Sequence, residues 1–334
     1  MAVTEITTVA QVGAGYMGGG IAQSLANAGF PVRIADVDPD ATHRNHRRLL
    51  DEAAQFEEQG LFPAGSVERI RANLHAVDSI EEAVADVDFV EEAVPEVPEI
   101  KREVLGRVEA AARPDTIIGT NTSTIPVHVL AQDLRDPARF LTVHWSNPAP
   151  FIPGVEIVAG ERTDPAVVPV VERMLTRAGR RSARVADVPG FVLNRLQFVL
   201  LKEAMTIVEE GVADATAVDT IVSTTFGFRL PFFGPFAIAD MAGLNVYVDS
   251  FRTMEAAFGE RLAPPKALLD LVAAGHHGTK TGSGFLQLDP DRRDALIAYR
   301  NKAYKAMNDL LVELGPSPLA EESGPPQADE RPGR

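Results

Sequence analysis

Four polar side chains close or follow short apolar stretches, where a folded chain could bring them together. His144 ends FLTVH, Glu156 lies in GVEIV, Ser123 falls in TNTST just past DTIIGT, and Asn194 lies in GFVLNR. Imidazole has an intrinsic pKa near ~6.5 and can take a proton near neutrality. A carboxylate on its second nitrogen would select the tautomer and stabilise the imidazolium. A hydroxyl and an amide could hydrogen-bond a substrate oxygen whose charge changes. Each residue also has a plainer reading: a satisfied core histidine, a solvated strand glutamate, a serine capping a helix at IPVHVL, an asparagine capping the next one. The four become a base and its helpers only if other motifs supply a reaction.

A glycine run supplies one. Gly13, Gly15 and Gly18 form GxGxxG within GAGYMGGG, between the β-branched stretch ITTVAQV and the helical pattern IAQSLANAGF. In that strand–turn–helix context the first glycine permits a tight turn, the second lets pyrophosphate approach, and the third allows close helix–strand packing. Tyr16 and Met17 open the helix, whose free N–H groups and positive dipole end would face the phosphates. Asp36 ends the next strand, PVRIAD, eighteen residues beyond Gly18. A carboxylate there accepts hydrogen bonds from the ribose hydroxyls and repels a 2′-phosphate, which favours NAD over NADP. The competing reading is that Asp36 or Asp38 merely caps the following helix. Hydride transfer from a secondary alcohol requires a base for the hydroxyl proton, and His144 is then suited to it.

These residues need elements to hold them. ITTVAQV, PVRIAD, VDFVEEAV (87–94), DTIIGT (115–120), RFLTVHW (139–145), GVEIVAG (154–160) and ARVADV (183–188) read as strands, with helical stretches between several of them. That alternation predicts a Rossmann-like, doubly wound α/β sheet over residues 1–188, with Ser123 and His144 at the carboxyl ends of its strands, where open sheets bind ligands. Beyond VPGF the pattern becomes helical, which predicts a second, all-helical domain over 189–315. Gly211 is placed to stop one helix and Asp214 to cap the next. The end, 316–334, is rich in proline and charge and reads as a disordered tail.

Composition removes several classes of function. The 334 residues include no cysteine, so disulfides, thiolate metal sites and a catalytic thiol are excluded. A net charge of -15 argues against nucleic acid or an anionic membrane as partner. No apolar stretch approaches the ~18 residues of a membrane span, and MAVTEITTVAQVG lacks a signal-peptide pattern, so a cytoplasmic location is expected. The pairs His43/His46 and His276/His277 have no companion ligands, and no metal is expected.

Taken together, GAGYMGGGIAQ, EEAVPE (91–96) with Lys101, NTST, HWSNP, VEIV, GFVLNR, FFGPFAIAD and GTKTGSGF (278–285) resemble the 3-hydroxyacyl-CoA dehydrogenase family over about residues 5 to 312. The resemblance implies NAD-dependent interconversion of a 3-hydroxyacyl and a 3-oxoacyl substrate, with His144 as base, Glu156 as its partner, and Ser123 and Asn194 on the substrate oxygen. It also implies Glu96, Lys101 and Asn121 near the cofactor, and a homodimer formed through the helical domains.

The chain departs from that pattern in places. HWSNP puts Ser146 where acyl-CoA members carry an aromatic side chain, changing the pocket wall and adding a hydroxyl that could hydrogen-bond the substrate. The stretch RRLLDEAAQFEEQGLFPAGSVERIR contains no lysine, whereas acyl-CoA members often have a lysine-rich helix there to grip CoA. PAPFIPGVE and FGFR are similar to relatives acting on free acids, the gulonate (λ-crystallin) and carnitine dehydrogenases, with a pyridine-carboxylate dehydrogenase of similar shape. Arg229 of FGFR could then clamp a substrate carboxylate bidentately. A rival of another class is a non-catalytic NAD-binding structural protein.

Overall fold

The computed structural model describes residues 3–318. Most of the tail read from 316 onward lies outside the described residues. The chain divides into two compact units, one up to Leu200 and one from Leu201.

The first unit is built on eight strands: β1 (Val9–Val12), β2 (Val32–Ala35), β3 (Leu74–Ala76), β4 (Phe89–Glu92), β5 (Ile117–Thr120), β6 (Phe140–Trp145), β7 (Gly154–Ala159) and β8 (Arg181–Val185). Their order is β3-β2-β1-β4-β5-β6-β7-β8, and every neighbouring pair is parallel except β6 with β7. The winding reverses between β1 and β4, which makes the carboxyl ends of those strands the crevice for a ligand. β1, β4 and β5 are buried on both faces along their whole length, although β4 carries the two acids Glu91 and Glu92. The residue pattern does not reveal β3, because three residues at a sheet edge carry too little alternation to detect. It also sets β8 two residues late, since the charges of this half-exposed edge strand mask its period.

Helices cover both faces: α1 (Tyr16–Asn27), α2 (Pro39–Glu58), α3 (Ser66–Asn73), α4 (Ile80–Val84), α5 (Pro98–Ala111), α6 (Val127–Leu130) and α7 (Val167–Arg177). On one face Ile21 and Leu25 of α1 and Val171 and Leu175 of α7 pack with Val9, Ile34, Phe89 and Leu141. On the other, Val84, Leu105, Val108 and Leu130 pack with Val12, Val90 and Ile118. Each such side chain contributes ~1.5–3 kcal/mol when fully buried, and these two layers hold the strand ends in place.

The second unit is helical, as expected. The chain enters it along α8 (Leu193–Glu209) and continues through α9 (Ala215–Thr224), α10 (Phe226–Arg229), α11 (Pro235–Ala242), α12 (Leu244–Phe258), α13 (Lys266–Ala273) and α14 (Arg293–Leu314). Gly211, at φ 70°, follows α8 in the left-handed conformation, and Asp214 caps α9 by accepting from Ala217 N at 2.7 Å. GPFAIADMAGLNVYVDSFRTMEAAF, which reads as one helical stretch, is two helices broken at Gly243. The core here is small, with Leu244, Val248 and Leu268 buried together. Buried Asp240 pins the glycine loop after α13, its carboxylate accepting from Phe285 N at 3.1 Å and Leu286 N at 2.8 Å. FFGPFAIAD and GTKTGSGF are therefore tied to each other structurally.

Candidate active site

His144 and Glu156 are brought together by the one antiparallel pairing in the sheet. The register of β6 and β7 sets them directly opposite on one face. His144 Nδ1 lies 2.8 Å from Glu156 Oε2, with the imidazole 4 % exposed. An ionised carboxylate only accepts hydrogen bonds, so Nδ1 carries the proton and Nε2 presents its lone pair. The other oxygen, Glu156 Oε1, accepts from Val192 N at 3.0 Å and Leu193 N at 2.9 Å, at the start of α8. Burial alone would raise the Glu156 pKa, but the imidazole and these two N–H groups outweigh it and hold the carboxyl below its ordinary value.

The turn that delivers those N–H groups is strained. Phe191 is fully buried at φ 48°, a left-handed conformation that a bulky side chain rarely adopts. Its ring centroid stands 5.8 Å from that of His144, so packing against the imidazole enforces the turn.

Ser123 and Asn194 are also joined. Asn194 Nδ2 donates to the Ser123 carbonyl at 2.9 Å. Ser123 does not cap α6, whose first N–H groups are taken by Asp187 instead. Glu96 shapes the loop holding Ser123: its Oε1 accepts from the Thr122 hydroxyl at 2.7 Å and from Ser123 N at 2.8 Å. Burial would push Glu96 up, yet these bonds and Lys101 keep it below the usual carboxylate range. Asn121 ties the end of β5 to that of β6, its Oδ1 accepting from Trp145 N at 2.8 Å. Ser146 follows, half-buried.

A cavity of about 440 Å³ at the carboxyl ends of β1 and β4 is lined by Gly13, Gly15, Met17, Asp36, Glu96, Asn121 and Ser123. Its residues fit a dinucleotide. Gly13 has φ 84°, and a Cβ there would lie 2.7 Å from the Ala93 carbonyl oxygen. A Cβ on Gly18 would overlap the Gly13 carbonyl oxygen, whereas one on Gly15 would meet nothing within 4 Å, leaving open space for phosphate. Asp38, not Asp36, caps α2. The Asp36 carboxylate is instead held at the turn by Ala14 N at 3.0 Å and Asn45 Nδ2 at 2.9 Å.

Three expected cofactor residues stand apart from this lining, of which Gly18 is buried under the Gly13 carbonyl. Tyr16 is 68 % exposed. Lys101 is fully buried behind the cavity, its ammonium 3.0 Å from Glu92 Oε1 and 3.5 Å from Glu96 Oε2. Glu92 does not stand out in the sequence, although an acid in a buried strand with a lysine nine residues on is its signal. Arg48 lies far along the chain from the glycine turn, but its guanidinium reaches the Ala14 carbonyl at 3.0 Å, because α2 runs back past that turn.

Arg229 ends α10 in the second unit. It lines a separate cavity of about 320 Å³ with Arg300, Asn301 and Tyr304, and its buried Nε has no hydrogen-bond partner among the described residues. Among the described residues no group of three or more potential metal ligands occurs, and no helix is long and apolar enough to cross a membrane.

Comparison with known proteins agrees with this geometry. The NAD-binding domain of 3-hydroxyacyl-CoA dehydrogenase matches residues 8–188, and the C-terminal domain of the same family matches 190–288. The chain is 36 % identical over 310 residues to 5-formyl-3-hydroxy-2-methylpyridine 4-carboxylate 5-dehydrogenase of Mesorhizobium japonicum, covering 92 % of this chain and 98 % of the relative. It is 34 % identical over 283 residues to a probable 3-hydroxybutyryl-CoA dehydrogenase of Bacillus subtilis, covering 84 % and 97 %. The crystal structure of a 3-hydroxyacyl-CoA dehydrogenase from Archaeoglobus fulgidus superposes with a TM-score of 0.76 at 31 % identity, covering 92 % of this chain and 99 % of the other. The chain belongs to the 3-hydroxyacyl-CoA dehydrogenase family and is an NAD-dependent oxidoreductase acting on a CH–OH group.

Proposed function

We propose that this enzyme interconverts a 3-hydroxyacyl and a 3-oxoacyl substrate, with His144 as general base and acid. The observation that carries this is the 2.8 Å contact of His144 Nδ1 with Glu156, which turns Nε2 outward as a proton acceptor. NAD, when bound, accepts the hydride in one direction and returns it in the other. In the oxidative direction His144 Nε2 takes the hydroxyl proton, and Glu156 stabilises the imidazolium that results. The Ser123 hydroxyl and the Asn194 side-chain carbonyl, neither engaged by another protein group among the described residues, contact the substrate oxygen. Gly13, Gly15, Met17, Gly18 and Asp36 bind the dinucleotide, with Asn121 and Glu96 lining the cleft, while Lys101 acts through Glu96. Oxidation of NADH with acetoacetyl-CoA tests the reading, and absence of turnover with any 3-oxoacyl thioester overturns the substrate class.

A second reading is favoured by the cavity at Arg229. Two guanidiniums, an amide and a phenol around one small space suit a carboxylate, so a small free hydroxy acid of gulonate, carnitine or pyridine-carboxylate type is the alternative substrate. Turnover of a panel of free 3-oxo acids separates the two. The same assay disposes of a purely structural role, which predicts no turnover with either class.

The domain division at 188/189, a cytoplasmic location and a homodimer belong to the same proposal. The homodimer is supported by α8, which buries none of its 17 residues although Leu196, Phe198, Leu201 and Met205 are apolar. A second copy of the helical unit is the occupant we assign to that face, and sedimentation of the purified chain as a monomer removes it.

A further inference from the structure

Gln11 and Glu91 have no part in the chemistry above, yet both are fully buried beside the dinucleotide turn. They are register partners in β1 and β4. By strand alternation they leave the same face of the sheet, opposite to the face of Glu92 and His144. The orientation of the Gln11 amide is dictated by its neighbours, because Nε2 donates to the Gly13 carbonyl at 3.1 Å and to that of Val12 at 3.4 Å. Nε2 would also lie 2.7 Å from a Cβ on Gly18, which places the amide directly beneath the glycine turn.

That orientation leaves Gln11 Oε1 without a donor among the described residues, and neither carboxyl oxygen of Glu91 has one there. Glu91 Oε2 lies over Gly119, where an added Cβ would come within 2.7 Å of it. Three buried acceptor oxygens with no donor among them would each carry the full desolvation penalty. A single proton turns one of the three oxygens into a donor and supplies a second. We propose that Glu91 is held as a neutral carboxylic acid whose hydroxyl donates to Gln11 Oε1, and that this bond fixes the amide that props the Gly13 carbonyl under the NAD-binding turn.

The surroundings favour the neutral form. Burial, and then the adjacent Glu92, push Glu91 well above the usual carboxylate range, with Lys101 opposing. Glu92 and Lys101 are the charged groups that act on it. Of the helices on this face, α1 carries no acid or base apart from the exposed Tyr16; Glu172, Arg173 and Arg177 of α7 are bonded to Arg184, the Thr4 carbonyl and the Gly29 carbonyl, and Arg48 of α2 to Glu52 and the Ala14 carbonyl. Gly119 and Phe89 lie beside the Glu91 carboxyl. Glu91 is thus a positioning residue for the cofactor and makes no contact with substrate.

The test combines infrared spectroscopy of the full chain with NADH titration. The wild type at neutral pH is expected to show a protonated-carboxyl carbonyl band that Glu91→Gln removes. Glu91→Gln keeps a donor towards Gln11 Oε1 and should bind NADH within about twofold of wild type, whereas Glu91→Leu leaves the oxygen orphaned and should weaken binding about five- to tenfold. NADH affinity of the wild type should fall as alkaline pH ionises Glu91, and that of Glu91→Gln should not. A carboxylate band in place of the acid band at neutral pH overturns the proposal, as does wild-type NADH affinity in Glu91→Leu. If the leucine variant does not fold, the infrared band and the pH profile of the glutamine variant decide.

Discussion

Glu156 and Glu91 are glutamates of one sheet, each largely withdrawn from water, and they resolve burial in opposite ways. Glu156 gathers an imidazole and two backbone N–H groups around its oxygens and is held below the ordinary carboxylate value. Glu91 gathers no donor among the described residues and is driven above it. Burial raises both, so the direction of each shift is decided by the supply of donors. Glu156 stands where β6 and β7 run antiparallel and α8 begins, so ring and helix N–H groups converge on it. Glu91 stands between parallel strands whose own N–H groups are spent on the ladder. An acceptor-only carboxylate suits a site that must stabilise a cation, and a neutral acid suits one that must donate to an amide.

The largest effect is expected from removing the imidazole that Glu156 serves. His144→Gln should lower kcat by about a thousandfold with NADH binding retained, and Glu156→Gln by a similar factor because the tautomer is no longer selected. Steady-state kinetics check both, and a variant keeping more than about a tenth of wild-type turnover removes His144 as the base. Next in size is the pair behind the cleft. Lys101→Met leaves Glu92 buried without its counter-ion and should cost about 3–5 kcal/mol of stability, read as a lowered urea midpoint. A midpoint unchanged from wild type would show that Thr120 Oγ1 and Val94 N, which also donate to Glu92, are enough to hold it.

Arg229→Ala should raise the KM for a free hydroxy acid about tenfold or more, with a thioester little affected. Equal KM values for variant and wild type on a free acid would leave the thioester as substrate. The smallest effect is the pH dependence of folding. Asp88, bonded to Thr7, Thr8 and Arg113, has its pKa lowered to about 2. Its stabilisation, at most about 2 kcal/mol, is present above its unfolded pKa and lost as pH falls through the folded one. Glu156 and Glu96 are lowered too and act in the same sense. Glu91 acts in reverse: its contribution is full below the usual carboxylate pKa and is lost as pH rises through its elevated one. Urea midpoints across pH should therefore show an acid limb that Asp88→Asn reduces and, above the usual carboxylate range, a decline that Glu91→Gln reduces.

Much of this is legible in residue types and spacing alone, for identifiable reasons. Gly13, Gly15, Gly18 and Asp36 announce themselves because their constraint is local, within a single strand–turn–helix–strand unit. Asp214 and Gly211 are legible as helix punctuation on the same grounds. Glu92, Arg48 and the Gln11–Glu91 pair are not, because nothing in VEEAV distinguishes an acid that meets a lysine from one that meets no donor at all. The two glutamates are adjacent in sequence and leave the sheet on opposite faces.

Residue type and short spacing are enough to set the class of fold, the dinucleotide turn and the groups available for proton transfer. Which groups those residues face follows from packing between distant segments. The β6–β7 register joined His144 to Glu156, the strained turn at Phe191 aimed the α8 N–H groups at the same carboxylate, and the return of α2 brought Arg48 to the glycine loop. A carboxylate's charge and role depend on the donors within about 3 Å of it, and those donors come from segments far away along the chain.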